Sequence, residues 1–262
     1  MPLNIGSALE TAVERTTSRA GLSFVAALVV IQALNLLFVT NYTAVAVGSL
    51  PNAPSSPGQL TPVSLGLGTG TLAGLVLLTY LVLLVVSVAL IRSMVSDVDD
   101  RIPSEFFTHR IVTAAVWWLV ATVVLSVLIT IGTFLVVVPG LFLAVSLLFT
   151  VVYVAVEDEN AFAAMRSSWR LASGNRWRLF GAALAAFVPY MVVYFAVTAA
   201  LPLSTVAGWV VGSILSGAWV VFLQALVAAC YRQLRDEADG GTDDDGPADG
   251  DDPAPHATVA DA

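Results

Sequence analysis

Three long stretches of this chain carry no Asp, Glu, Lys, Arg or His: residues 20–91, 111–156 and 179–231. They are 72, 46 and 53 residues long, and all eleven arginines and nineteen carboxylates fall between and around them. One membrane-spanning helix needs about 20 apolar residues. The two shorter blocks therefore each have room for two spans and a tight turn. The longest has room for two spans with about 30 residues over. Three blocks of two predict an all-α polytopic membrane protein, with six transmembrane helices as three hairpins and amphipathic interfacial helices between them. Only 11% of residues are charged, against about 25% in a soluble domain.

Local signals set the expected boundaries. Residues 1–19 read as a cytoplasmic amphipathic helix. Ser7 and Glu10 have capping-box spacing, and Ile5, Ala8, Leu9, Ala12 and Val13 make one apolar face. The membrane domain covers 20–235, with helices expected at about 20–40, 72–94, 106–135, 139–156, 179–200 and 205–231. A signal peptide is the rival reading of the first, because Ala44-Val45-Ala46 fits a cleavage site. The apolar run is longer than the 7–15 residues of a signal-peptide core, so a retained helix is predicted. Residues 41–71, with four prolines and five glycines, predict a loop. Pro103-Ser104 suits the start of the third helix and Pro139-Gly140 the first turn of the fourth. Pro189 predicts a kink in the fifth. Residues 236–262 hold ten of the nineteen acids and no apolar pattern, which predicts a disordered acidic cytoplasmic tail. A polar stretch followed by a hairpin occurs three times, and residues 8–19 faintly echo residues 161–172.

Arginine placement sets the orientation. Arg15 and Arg19 precede the first helix; Arg92, Arg101 and Arg110 separate the second and third. Arg166, Arg170, Arg176 and Arg178 separate the fourth and fifth, and Arg232 and Arg235 follow the sixth. On the expected layout all eleven fall on one side. The positive-inside rule makes that side the cytoplasm, so both termini are expected there in a multi-pass cell-membrane protein. Tyr42 and Trp209 would then sit near the outer interface, and Trp169, Trp177 and Tyr231 near the inner one.

Residues 157–178 carry the most information. Asp158 or Asn160 can cap a helix, the acids beside them complement its dipole, and Gly174-Asn175 is a stop signal. Between these, Phe162, Met165, Trp169 and Ala172 are expected on one face, with Arg166, Arg170 and Ser173 on an adjacent one. Arginine beside tryptophan on a short helix suits a membrane interface.

The ordered motifs Pro139-Gly140-Leu141-Phe142, Glu157-Asp158-Glu159, Ala164-Met165-Arg166-Ser167-Ser168-Trp169 and Gly174-Asn175-Arg176-Trp177-Arg178 carry a resemblance. The chain resembles an uncharacterised family of six-helix membrane proteins. That family is similar to the membrane domain attached to some glycerophosphodiester phosphodiesterases and to the bacterial YciC-like proteins. The resemblance implies a membrane module and no hydrolase, since the phosphodiesterases' catalytic domain is a separate soluble barrel. The lack of lysine, the Asp-rich tail and the Ala/Val/Gly richness resemble proteins of halophilic archaea; GC-rich coding alone would also favour arginine.

The neutral blocks supply no His, Asp, Glu or Lys to a catalyst or to ion coupling. His109 lies at a block edge and His256 in the tail, too few for a metal site without further ligands. No metal, cofactor or nucleic acid is therefore expected, and no enzyme. Ser213 and Ser216 have no base beside them. Cys230 is the only cysteine, so an intrachain disulfide is excluded. Gly208, Gly212 and Ser216 form a small-residue stripe for helix packing, within the chain or between copies. Asn41 opens a glycosylation sequon, Asn41-Tyr42-Thr43. Gln32, Asn35 and Gln224 are the polar intramembrane candidates, serving either interhelical hydrogen bonds or a solute path.

Two functions remain. The first is a non-enzymatic membrane module that contacts lipid headgroups or a partner through Arg166, Trp169, Arg170, Arg176, Trp177 and Arg178. Its expected partners are membrane lipids, with a membrane protein or a second copy of this chain as further candidates. The alternative is a permease for a neutral or amphipathic solute, with a cavity lined by Gln32, Asn35 and Gln224.

Overall fold

The computed structural model is all-α and describes residues 3–49, 63–96, 111–135, 137–201 and 205–240. In chain order its helices are α1 (Ile5–Thr17), α2 (Arg19–Gly48), α3 (Thr69–Val95), α4 (Ile111–Leu135), α5 (Val137–Ser146), α6 (Thr150–Val156), α7 (Ala161–Ala172), α8 (Arg176–Ala200) and α9 (Val206–Gly240). Five of these, α2, α3, α4, α8 and α9, are long and apolar enough to cross a membrane. They are the helices of a multi-pass membrane protein.

The expected fourth span, 139–156, is where the structure differs. It is divided into α5 and α6 by a turn at residues 147–149. There the backbone tightens to three-residue bonds, from Leu148 N–H to Val145 O and from Thr150 N–H to Leu147 O. The stretch also lies across the bundle. Near its start, Phe142 meets the Arg176 guanidinium at the head of α8. Toward its end, Phe149 and Tyr153 pack on Tyr231 of α9, and Ala155 O accepts from Arg92 of α3. These partners all lie at one end of the long helices, so both ends of the stretch sit there. A segment lying flat across helix ends needs neither the length nor the straightness of a span.

That same end holds the core. Its large, fully buried side chains include Leu90, Ile91, Phe149, Val152, Val154 and Cys230. Away from it, α8 exposes Val192 and Phe195. Apolar side chains turned outward are what a lipid solvent requires.

Both termini of the described chain meet at the core end. Asn4 N–H donates to Gln233 Oε1 at 3.1 Å, and Gln233 Nε2 donates to Ser7 Oγ at 3.1 Å. Ala8 and Ala12 are fully buried beneath this tie. The N-cap of α1 is Asn4, whose side chain accepts from Gly6 and Ser7 N–H, rather than the expected Ser7. Ser7 is instead occupied by Gln233 and by the Asn4 carbonyl.

Two expected helix ends also move. α2 continues to Gly48, where a loop from residue 41 was expected, because Asn41 finds partners as a helical residue. Its Nδ2 donates to Leu37 O at 2.9 Å and Val63 O at 3.0 Å, and its Oδ1 accepts from Leu65 N–H at 3.0 Å. α9 continues past Arg235 to Gly240, five residues into the expected disordered tail. Leu234 is buried and Arg235 is paired, so the chain has no reason to leave the helix at Arg235. α8 runs through Pro189 as one helix. The Pro103-Ser104 start, His109, Arg101, Arg110, His256 and tail residues 241–262 lie outside the described residues.

Residues 8–19 and 161–172 fall mainly on α1 and α7, in different registers: Asn4 caps four residues before Ala8 and Asn160 one before Ala161. α1 and α7 are each capped by an asparagine, Asn4 and Asn160. Each buries an alanine face and leads into a long helix that begins with arginine.

Candidate functional site

Residues 157–178 fold into a corner made by a short acidic link, α7 and the start of α8. The link spends its side chains on holding helices together. Glu157 Oε1 accepts from Tyr231 Oη at 2.6 Å and from Arg235 Nη1 at 2.5 Å, both on α9. Asp158, with a left-handed φ of 52°, pairs with Arg92 Nη2 of α3 at 3.2 Å. Glu159 Oε1 accepts from Ser167 Oγ of α7 at 3.2 Å. Asn160 caps α7 through Ala163 N–H at 3.0 Å. Of the two expected caps, Asn160 fills the role and Asp158 does not.

Arg92 and Tyr231 were expected at the membrane surface, and both are buried. Arg92 Nε also donates to Ala155 O at 2.6 Å. A cation at the end of α6 meets carbonyls that have no helical partner. Tyr231 is drawn inward by its bond to Glu157 and by ring contacts with Phe149 and Tyr153.

The break between α5 and α6 is closed by Ser168. Its hydroxyl donates to Ser146 O at 3.1 Å and accepts from Phe149 N–H at 3.1 Å. Ser168 is fully buried. One hydroxyl thus serves a carbonyl and an amide that the turn takes out of the helical ladder.

The same contacts fix which face of α7 looks outward. Ala161, Ala164, Ser168 and Ala172 are fully buried. The opposite face carries Phe162, Arg166, Trp169 and Arg170, all exposed. Ala172 was expected beside Phe162 and Trp169. It lies on the other side, where only small side chains let α7 approach α6. Gly174, at φ 89°, then turns the chain toward α8. Trp177 is 86% exposed and Arg178 is exposed beside it. Arg176 is held between two rings, its guanidinium carbon 4.6 Å from the Phe142 centroid and 4.5 Å from that of Trp169. Five of the six expected contact residues, Arg166, Trp169, Arg170, Trp177 and Arg178, therefore face outward at one corner, with Arg176 half-buried behind them.

The other expected sites are scattered. Asn35 Nδ2 donates to Thr79 Oγ1 at 3.0 Å, joining α2 to α3. The hollow beside Asn35 is walled by Val39, Tyr42, Ala73, Val76, Leu77 and Tyr80. Neither Gln32 nor Gln224 lines it. Gln224 Oε1, on α9, is buried without a hydrogen-bond partner. Of the small-residue stripe, Gly208 and Gly212 are buried and Ser216 is not. The closest approach falls one residue on, at Gly217, where an added Cβ would come within 3.1 Å of Val29 Cα and 3.0 Å of its N. The packing is within the chain, between α9 and α2. The amide nitrogen of Asn41, which glycosylation uses, is committed to two carbonyls, and the residue is buried. Among the described residues no three His, Cys, Asp or Glu side chains gather as a metal site.

Sequence reading missed Ser168, Arg92 and Gly217. Ser168 had a signal, as a hydroxyl at the fourth position of an alanine-lined face.

No curated protein and no solved structure matches this chain. A family model described as a Domain of unknown function (DUF7847) matches residues 3–234, and over that span, most of its length, the chain belongs to this family.

Proposed function

We propose that the chain is a non-enzymatic membrane module whose α7–α8 corner contacts the headgroups of anionic lipids, with both ends of the chain in the cytoplasm. The observation that carries this reading is the outward face of α7. Phe162 and Trp169 share it with Arg166 and Arg170, while the small side chains behind it are clamped to the protein. Apolar rings with cations on an in-plane helix suit the boundary between headgroups and acyl chains. Each exposed arginine gains about 1 kcal/mol near an anionic leaflet. A helix pinned through Ser168 presents these groups without the ordering entropy a free segment loses.

The topology proposed with it rests on parity. The tie between Asn4 and Gln233 keeps the chain ends at one side, which requires an even number of crossings. α2, α3, α8 and α9 supply four. The flat path of 141–157 supports a hairpin of α4 and α5 that enters and leaves by the same face, in place of a third complete crossing pair. The arginines at this end support its cytoplasmic orientation.

The test uses full-length protein reconstituted in bilayers with dansyl-labelled lipid. Energy transfer from tryptophan to dansyl-phosphatidylglycerol should exceed transfer to dansyl-phosphatidylcholine. Replacing Arg166, Arg170 and Arg178 together by Gln should bring the two to parity. Equal transfer in the wild-type protein would overturn the reading.

A further inference from the structure

Behind the exposed corner an apolar groove runs between α5, α8 and α9. Its mouth, about 480 Å³, is walled by Leu141, Phe142, Val145, Trp177 and Phe180, with Arg176 beside them. Leu141, Val145 and Phe180 also wall a second hollow of about 320 Å³ that continues to Ala183, Trp219 and Cys230. The shared walls make the two one groove. Among the described residues Arg176 is its one charged lining residue. Leu141, Leu184 and Phe187 are exposed along its flank, so it opens sideways.

Arg176 is incomplete. Its Nε–H is buried and has no hydrogen-bond partner, a state that costs about 1–3 kcal/mol. The Phe142 and Trp169 rings, nearly perpendicular to each other with centroids 5.6 Å apart, both lie against the guanidinium. Neither ring supplies an oxygen acceptor, so the N–H edge of the cation is still to be met. An oxyanion suits such an edge, and phosphate suits arginine especially well. An oxyanion joined to an apolar groove describes an amphiphile with an anionic head.

We infer that this groove holds one anionic phospholipid, with its phosphate on Arg176 and an acyl chain along Val145, Ala183 and Trp219. The inference rests on the corner being a lipid-contacting surface and adds a single retained molecule to a general surface preference. The two separate by experiment. Arg166, Arg170 and Arg178 serve the surface; Arg176 and Ala183 serve the groove.

Full-length protein in mild detergent, stripped of lipid by exchange, is incubated in turn with phosphatidylglycerol, phosphatidylcholine and palmitic acid. Retained molecules are counted by native mass spectrometry. Wild-type protein should hold one phosphatidylglycerol and little of the other two. Arg176→Gln should weaken that retention about tenfold, as should Ala183→Phe, which fills the groove; tenfold corresponds to about 1.4 kcal/mol. Elution volume and helical circular dichroism check the fold, with Ala183→Leu as the gentler variant. The triple Gln variant at Arg166, Arg170 and Arg178 should keep its lipid. Wild-type retention by Arg176→Gln and a folded Ala183 variant, or equal retention of phosphatidylcholine or palmitate, would overturn the inference. One retained phosphatidylglycerol with no preference in the dansyl experiment would leave the groove standing and sink the surface reading.

Discussion

Arg92 and Asp158 meet at 3.2 Å across 66 residues of sequence, with the arginine side chain 9% exposed and the aspartate 25%. The pair ties α3 to the link that starts α7. Truncating one partner of such a pair leaves the other without its counter-charge in a poorly solvated place. Asp158→Asn keeps a residue tolerant of the left-handed backbone and removes only the charge. It should lower stability by about 2 kcal/mol, reduced from the fully buried case because water reaches the aspartate. Thermal unfolding in detergent, followed by tryptophan emission, reads the loss. Arg92→Leu with Asp158→Asn should recover part of it, and a double variant weaker than the sum of the singles would contradict the pairing.

Ser168→Ala leaves Ser146 O and Phe149 N–H without their shared partner. A buried group so abandoned costs about 1–3 kcal/mol, so the variant should unfold at lower temperature. Ser173→Ala, at an exposed hydroxyl three residues from Arg170, should change little. Hydrogen exchange at Phe149 should rise in Ser168→Ala. Unchanged protection at that amide would show the break is closed by something else.

Gly217→Ala places a methyl group 2.7 Å from Val29 Cγ2, with the Val29 backbone N and Cα just behind at 3.0 and 3.1 Å. Overpacking of this kind costs about 1–3 kcal/mol. Gly217→Val should be worse, and Val29→Gly should rescue Gly217→Ala in part. Equal stability of Gly217→Ala and wild type would place the close approach of α2 and α9 elsewhere.

Asn41 should be a packing residue. Two of its three hydrogen bonds hold Val63 and Leu65 to α2, and Asn41→Ala should lose about 1–3 kcal/mol. Intact mass of protein from its native membrane should show no sugar there. A hexose-sized increment at Asn41 would overturn the assignment.

Crossing number is open to chemical labelling. In a Cys230→Ser background, Ser64→Cys should react with an impermeant maleimide only from outside, and Ser173→Cys only from the cytoplasm. For the hairpin of α4 and α5, Thr133→Cys should not react from outside. Outside labelling there would restore the third crossing pair.

The long helices were legible because charge-free length is a one-dimensional quantity. A run such as 20–40 or 179–200 needs no knowledge of neighbours to be recognised. Residues 139–156 deceived the same test. Their hydropathy is that of a span, and what satisfies the break in them is a hydroxyl supplied from 19 residues away, Ser168 to Phe149. The arginines misled in part for a related reason. Arg166 and Arg170 are exposed as expected, whereas Arg92 is buried by Asp158 and Ala155, and no local pattern announces partners 66 and 63 residues off. Within α7 the helical period predicted an amphipathic helix, but Ala172 shows that the period could not say which face would be claimed by α6.

The bond between Asn4 and Gln233 joins α1 to α9, across 229 residues. At about 5–20 residues per second, the partner of α1 emerges roughly 10–45 seconds after α1 itself. Throughout that interval Ala8 and Ala12 lack the α9 wall that buries them. α1 is thus completed long after it is made, and quality control has a long window in which to inspect it.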